Sequence, residues 1–143
     1  MVYLIKDYMR SDIATVDVGD SALAVSKVML EKGVGQIIVL EKAQPAGIVT
    51  ERDLVLKVMA KEREASNVKV SEVMSAPVIT IDPDASLEEA VKIMAEHGIR
   101  RLPVVRDHII YGIFTSRDLA KHFNEYEDRV ARDIVRHCIS LPF

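Results

Sequence analysis

The sequence has little of what marks an exported, membrane-spanning or disulfide-stabilised protein. Its 143 residues include one cysteine, Cys138, which cannot form a disulfide within the chain and therefore favours a reducing compartment. No apolar run approaches the roughly 18 residues of a membrane-spanning helix. The opening MVYLIKDYMRSD also lacks the apolar core of a signal peptide. We therefore expect a soluble, cytoplasmic protein with no membrane partner.

Positive charge, aromatic side chains and amide side chains are also scarce. Lysine and arginine number 19 against 22 aspartates and glutamates, so no global field attracts nucleic acid. Tryptophan is absent, and four tyrosines and three phenylalanines offer few platforms for stacking bases. Nucleic acid is therefore an improbable partner. The low content of asparagine and glutamine, with many charged residues, points to a thermophilic source.

Motifs for catalysis are missing as well. The chain has no GxSxG, HExxH, GxGxxG or phosphate-loop sequence. Its histidines are scattered, and the adjacent His137 and Cys138 would point to different sides of a helix, so they could not readily chelate one metal. We expect no enzyme activity, no metal site and no required cofactor.

What the chain does contain is a repeat. Residues 47–54, GIVTERDL, return as GIFTSRDL at 112–119. A shift of 65 residues aligns 9–57 with 74–122 without a gap, and 15 of those 49 pairs are identical. Such self-similarity predicts two copies of one structural unit, which pair with each other rather than form an open solenoid.

Each copy is predicted to fold as β-α-β-β-α. An extended piece (13–17; 78–82) precedes a helix that begins at Asp20-Ser21 or at the capping box of residues 86–89 and ends at Gly33 or Gly98. Two strands (36–40 and 47–49; 101–106 and 111–114) follow, separated by turns at 41–46 and 107–108. Second helices are predicted at 51–61 and from 116 through 122 onward.

This pattern gives four segments. Repeat 1 spans residues 6–61, a linker 62–73, repeat 2 residues 74–123, and a tail 124–143. Val130, Ile134, Val135 and Cys138 share one helical face of the tail, while its arginines lie on another. A helix that docks on a subunit is the preferred interpretation of the tail, and nucleic-acid binding is the alternative.

The repeated Thr-x-Arg-Asp allows two interpretations. Thr50 and Thr115 would cap the helices, with Asp53 and Asp118 in the first turn. However, Asp is shorter than the usual Glu or Gln of a capping box, and an arginine opposes the helix dipole there. A threonine, an arginine and free N–H groups suit a phosphate, and an aspartate suits the two hydroxyls of a ribose. These residues therefore predict a nucleotide site, with the extended pieces 13–15 and 78–80 beside the base.

The duplication and the runs IATVDVGDSALAVSKVMLEKGVGQIIVL (13–40) and VITIDPDASLEEAVKIMAEHGIRRLPVV (78–105) resemble a tandem pair of CBS domains, named for cystathionine β-synthase. The resemblance covers about residues 6–123. It implies a mixed α/β fold of two β-α-β-β-α repeats, packed sheet to sheet with pseudo-twofold symmetry, here followed by the helical tail. It further implies a regulatory module that binds AMP, ADP or ATP, sometimes S-adenosylmethionine, between the repeats.

The resemblance also assigns roles to residues. Asp118 and Asp53 match a ribose-binding aspartate, Thr115 and Thr50 a hydroxyl that contacts ribose or phosphate, and Arg117 and Arg52 a variable position that is sometimes basic. The remaining candidates are Arg100, Arg101, Val78, Ile79, Thr80 and Pro103 in the second copy, with Ile13, Thr15, Gly35 and Gln36 in the first. Gly35 and Gln36 stand where the second copy has two arginines. One nucleotide beside Asp118 is therefore better supported than two.

Partners beyond the nucleotide are a second copy and an unknown effector. CBS pairs often dimerise through their helices, and the apolar residues of 23–30 and 54–59 make a homodimer plausible. Without a nucleotide ligand, the chain would instead be a protein-interaction module.

Overall fold

The computed structural model describes residues 2–121 and residue 136. The strands are β1 (Thr15–Asp17), β2 (Gln36–Glu41), β3 (Gln44–Thr50), β4 (Arg101–Arg106) and β5 (Ile109–Thr115). The α-helices are α1 (Ala22–Lys32), α2 (Glu51–Leu54), α3 (Leu87–His97) and α4 (Ser116–Lys121). The mixed α/β fold with two repeats is thus confirmed, while the predictions for the tail lie outside the described residues, apart from residue 136.

Repeat 1 lies in a compact unit formed by Ile13–Val78. In its sheet, β1 runs parallel to β2, and β2 runs antiparallel to β3. Alternate or successive apolar side chains of these strands pack against α1, because a sheet must bury its apolar face against another element. The buried core includes Val16, Val25, Val39 and Val49.

Repeat 2 lies in a second compact unit formed by the rest of the described chain, residues 2–12 and 79–121. Its β4 and β5 are antiparallel, and Ile81 forms a single parallel bridge to Val104 where the first unit has β1. Phe114, Leu102 and Met94 are fully buried in its core. The extended piece predicted at 78–82 is therefore shorter in hydrogen-bonded length than its counterpart in repeat 1.

The segment that precedes each repeat folds with the other repeat. The Ile5 N–H donates to the Ala85 carbonyl at 2.8 Å, and Ile5 is fully buried in the core of repeat 2. In the same way, the Val70 N–H donates to the Asp20 carbonyl at 2.8 Å, and Val70 is fully buried in the core of repeat 1. Residues 62–73, predicted to be a linker, therefore supply core residues to the first unit.

The helix ends follow the predicted local chemistry. Ser21 and Ser86 accept hydrogen bonds from the Ala24 and Glu89 N–H groups, and Gly33 and Gly98 end the helices with φ of 64° and 61°. Glycine adopts this left-handed conformation without steric cost. The capping box predicted at 86–89 is only half formed, because the Glu89 side chain makes no return bond to the Ser86 N–H.

Three predicted boundaries are wrong. The turn predicted at 41–46 is the two-residue turn Lys42-Ala43, with φ of 51° and 63°, so β2 and β3 extend almost to each other. Asp107-His108 forms the same kind of turn, as expected, but β5 begins earlier than predicted, at Ile109. The two-residue length of the first turn was not predicted, because lysine and alanine rarely take positive φ.

The helix predicted at 51–61 is not uniform. It starts as α2 and widens into a π-helical turn over Val55–Met59, closed by the Ala60 N–H donating to the Val55 carbonyl at 2.8 Å. Periodicity at 3.6 residues cannot reveal such a turn, because it inserts one residue into an otherwise apolar helical pattern. Across the described residues, no helix combines the length and hydropathy required to traverse a bilayer.

Candidate functional site

The two copies of Thr-x-Arg-Asp each lie where a strand ends and a helix begins. We call Gly35, Gln36, Thr50, Glu51 and Asp53 the first junction. The second junction is formed by Arg100, Arg101, Thr115, Ser116 and Asp118. Each junction is built within one unit, from the first residues of one hairpin strand, the last residue of the other and the following helical turn.

Strand pairing places the basic candidates of the second junction beside the threonine. Arg101 is the register partner of Thr115 across β4 and β5, and the Ser116 N–H donates to the Arg100 carbonyl at 3.0 Å. In the first junction Gln36 pairs with Thr50, and the Glu51 N–H donates to the Gly35 carbonyl at 3.0 Å. The hairpin register thus brings residues 65 positions apart into equivalent places.

Thr115 and Asp118 form a complete capping box. The Thr115 N–H and hydroxyl both donate to Asp118 Oδ2 at 2.9 Å, and the Asp118 N–H donates to Thr115 Oγ1 at 3.2 Å. Asp118 is only 4% exposed. The expectation that aspartate is poorly suited to this role is wrong, because its shorter side chain reaches the threonine N–H at normal hydrogen-bond distance.

The first junction has the same capping box but a different second carboxylate oxygen. Asp53 Oδ2 accepts from the Thr50 N–H at 2.9 Å and from its hydroxyl at 3.1 Å, while Asp53 Oδ1 lies 2.9 Å from Lys57 Nζ. For Asp118, no hydrogen bond to Oδ1 is found among the described residues. Capping therefore occupies one oxygen of each aspartate, and the two junctions differ in the other.

Side-chain charge separates the junctions further. A Cβ placed on Gly35 would lie 2.9 Å from Glu51 Oε1, so the Glu51 carboxylate covers residue 35. Neither Glu51 nor Lys57 is among the site residues predicted from the sequence. The i,i+4 spacing of Asp53 and Lys57 could have revealed the ion pair, and the mismatch of Glu51 with Ser116 in the repeat alignment could have revealed the added charge.

Arg52 and Arg117 are exposed, and within residues 2–121 neither forms an ion pair. An ion pair with a described carboxylate therefore does not account for the position of these arginines at the helix start. Both side chains remain available to an anion at the helix N-terminus.

The candidates for contact with the base lie on the neighbouring strand edge. In the second unit the Ile81 N–H donates to the carbonyl of the buried Pro103 at 3.0 Å, and half-buried Ile79 and exposed Thr80 directly precede Ile81 in the chain. Val78 is half-buried and is the last residue of the first unit. In that unit the Ile38 N–H donates to the Ala14 carbonyl at 3.1 Å, between half-buried Ile13 and exposed Thr15.

Known proteins share this organisation. An uncharacterized protein of Methanopyrus kandleri is 41% identical over 77% of this chain, which spans 57% of that relative's length. The CBS domain-containing protein YhcV of Bacillus subtilis is 38% identical over 81% of this chain and 82% of its own. A solved hexameric CBS-CP12 protein from bloom-forming cyanobacteria is 29% identical, with a TM-score of 0.80 over 91% of this chain and 74% of that chain.

The family model of the CBS domain matches twice, at residues 5–60 and 70–125. Together these matches cover most of the sequence and coincide with the two repeats. The protein therefore belongs to the CBS domain family and contains a pair of CBS domains.

Proposed function

We propose that this chain is a regulatory module that binds one adenine nucleotide at the second junction, without catalysing a reaction on it. Pairs of CBS domains are in general regulatory ligand-binding modules. AMP is our first choice of ligand, ahead of ADP and ATP. The observation that carries the proposal is the Asp118 carboxylate, in which Oδ2 caps α4 and Oδ1 makes no hydrogen bond to the described chain.

A ribose fits that carboxylate in chemical terms. A carboxylate oxygen accepts hydrogen bonds from hydroxyl groups, and bonds to a charged, largely buried acceptor are stronger than neutral ones. The capping box fixes the orientation of Asp118, so little side-chain freedom is lost when a ligand binds. Asp118 therefore plays two roles in this proposal, as helix cap and as ribose acceptor.

The phosphate is assigned to the arginines of the second junction. Arg101 lies directly across from Thr115 in the sheet, Arg100 precedes it, and exposed Arg117 lies in the first turn of α4. Arginine presents a planar fork of donors that matches phosphate oxygens. Among residues 2–121, three arginines accompany the Asp118 carboxylate at this junction, which favours an anionic ligand. The base is assigned to Val78, Ile79, Thr80 and Pro103.

Calorimetric titration with AMP, ADP and ATP tests the proposal, using Asp118→Asn and the matched variant Asp53→Asn. The asparagine oxygen can still cap the helix, but its amide cannot accept hydroxyl protons in place of Oδ1. We expect Asp118→Asn to weaken AMP binding by about 10- to 100-fold, the loss of a hydrogen bond to a charged group of about 1.5–3 kcal/mol. Asp53→Asn should leave binding unchanged.

Two results would contradict the proposal. One is the failure of all three nucleotides to bind folded, ligand-free protein. The other is equal loss in the two variants, which would indicate that capping, not ligand contact, is the role of the carboxylates. In either case the chain would be better explained as a protein-interaction module.

A specific surface favours self-association alongside nucleotide binding. Helix α1 and the π-helical turn expose large apolar side chains in repeat 1, with Leu30 85% exposed and Met59 73% exposed. The equivalent positions for Leu23, Leu30 and Leu56 in repeat 2 hold Glu88, Ala95 and Lys121. We propose a homodimer through this face of repeat 1, in line with the hexameric relative. A nucleotide then regulates an effector by binding one assembly state more tightly.

A further inference from the structure

The two junctions differ in side-chain charge at one equivalent pair of positions. Residues 35 and 51 make the same backbone hydrogen bond as residues 100 and 116, at 3.0 Å in both copies. The first pair is Gly35 with Glu51, and the second is Arg100 with Ser116. The same backbone hydrogen bond is therefore flanked by a negative side chain in one repeat and by a positive side chain in the other.

In repeat 1, the Glu51 side chain occupies the space beside residue 35. A Cβ on Gly35 would lie 2.9 Å from Glu51 Oε1 and 3.0 Å from Glu51 Cδ, closer than side-chain carbons pack in proteins. Position 35 thus has no space for a side chain while Glu51 keeps this orientation. In repeat 2, Ser116 is short and buried, and position 100 carries a full arginine.

One of the cations near Glu51 in the first unit is already paired. Lys57 Nζ is engaged by Asp53 Oδ1 at 2.9 Å and by the Val73 carbonyl at 2.9 Å. Arg52 is the remaining exposed cation of this turn. An anion at the first junction would meet the carboxylates of Glu51 and Asp53, whereas among the described residues the second junction has the carboxylate of Asp118 and three arginines.

We propose that Glu51 is a specificity-determining residue that keeps phosphate groups away from the first junction and so limits the chain to one nucleotide. This inference rests on the proposed function, since it concerns where the same ligand class binds. Glu51 is not one of the residues that the two copies of the motif share.

The test is a calorimetric titration of AMP, and in parallel adenosine, into four forms of the full chain. These are the wild type, Glu51→Ser, Gly35→Arg combined with Glu51→Ser, and Ser116→Glu. Glu31→Ser, which removes an exposed carboxylate from α1, controls for net charge. Melting temperatures measured beforehand verify that each variant is folded.

The wild type should bind one AMP. Glu51→Ser should add a second, weaker AMP, and the double variant should tighten that second site by about tenfold or more. Ser116→Glu should weaken the original site by a similar factor. Adenosine affinity should not change in Glu51→Ser, because the proposed repulsion acts on phosphate. Glu31→Ser should behave as wild type.

The outcomes separate the two proposals. Two equivalent AMP molecules on the wild type would overturn the role of Glu51 and the restriction to one nucleotide, but would leave nucleotide binding at the second junction in place. A folded double variant that still binds one AMP would overturn only the role of Glu51. An equal gain in AMP and adenosine affinity overturns it too, because that effect would be steric. A wild type that binds no adenine nucleotide overturns both.

Discussion

At the scale of single residues, the two oxygens of one aspartate carboxylate can make separate contacts. Asp53 and Asp118 both use Oδ2 to complete a capping box with the preceding threonine. A capping role therefore does not exclude ligand binding by these aspartates, because capping uses only one of the two carboxylate oxygens. In repeat 1 Lys57 contacts the second oxygen, whereas in repeat 2 the described residues provide no hydrogen bond to it.

Arg106 makes a second residue-scale network, with consequences for acid stability. Its Nε and Nη2 donate to Asp82 at 3.0 and 2.6 Å, and it also pairs with Asp84, which Lys6 contacts at 3.0 Å. Hydrogen bonds from Arg106 hold the pKa of Asp82 and of Asp84 below the ordinary value of 3.8. Because Lys6 belongs to the leading segment, the network also fastens that segment to repeat 2.

We expect Arg106→Gln to flatten the acid limb of the stability profile. A carboxyl group whose pKa is lower in the folded state stabilises the fold above its unfolded-state pKa, and this contribution is lost as pH falls through the folded-state value. Denaturant midpoints measured from about pH 6 down to about pH 2 should fall less steeply in Arg106→Gln. Exposed Lys92→Gln is the charge-matched control, and equal slopes in the two variants would contradict the prediction.

At the scale of elements, the glycine of the repeated motif is explained by a close approach of two backbones. Ile113 exchanges two hydrogen bonds with Arg10, both 2.9 Å, and a Cβ on Gly112 would overlap the Arg10 carbonyl oxygen. In repeat 1, a Cβ on Gly47 would lie 2.8 Å from the Ser75 carbonyl oxygen. Each glycine thus makes room for the segment that leads into the other repeat.

Gly112→Ala should therefore destabilise the fold by about 1–3 kcal/mol, the usual cost of forcing extra atoms into a packed region. Denaturant unfolding measures this change, and protease cleavage within residues 2–12 should accelerate. Gly19→Ala is the control, since its added Cβ would meet nothing closer than 3.6 Å, and it should cost less than about 0.5 kcal/mol. If Gly112→Ala were as stable as Gly19→Ala, the close approach would not be what requires the glycine.

At the scale of the whole molecule, the two repeats share the register of their hairpins but differ in their side chains. Repeat 2 carries arginines at its junction, and repeat 1 carries an apolar outer face. We infer a division of labour, in which repeat 2 binds the nucleotide and repeat 1 provides the assembly surface. The cytoplasmic location and the thermophilic source stay predictions from composition.

Leu30→Glu combined with Met59→Glu should weaken self-association by at least about tenfold, because two charges would be placed in an apolar interface at more than 1.4 kcal/mol in total. Sedimentation velocity over a range of protein concentrations measures this change. Ala95→Glu places a charge at the position in repeat 2 that matches Leu30, and it should leave assembly intact. A double variant that assembles like the wild type would place the interface elsewhere.

Local signals in the sequence determined much of this protein. The serine caps and the glycine helix ends depend on contacts within a few residues, so they can be read from short stretches. The gapless repeat can be read by comparing the sequence with itself. The resemblance to CBS domains likewise rests on motifs that each copy carries in full. These signals predicted the β-α-β-β-α order and the position of Thr115 and Asp118 in the same helical turn.

Tertiary structure alone decided the features that depend on residues far apart in the chain. Burial of Ile5 with repeat 2 and of Val70 with repeat 1 is a long-range choice that hydropathy cannot assign to one partner. The π-helical turn and the Lys42-Ala43 turn are not predicted by the backbone preferences of their residues. The covering of Gly35 by Glu51 required the strand register, because only pairing across the hairpin brings residues 35 and 51 into contact.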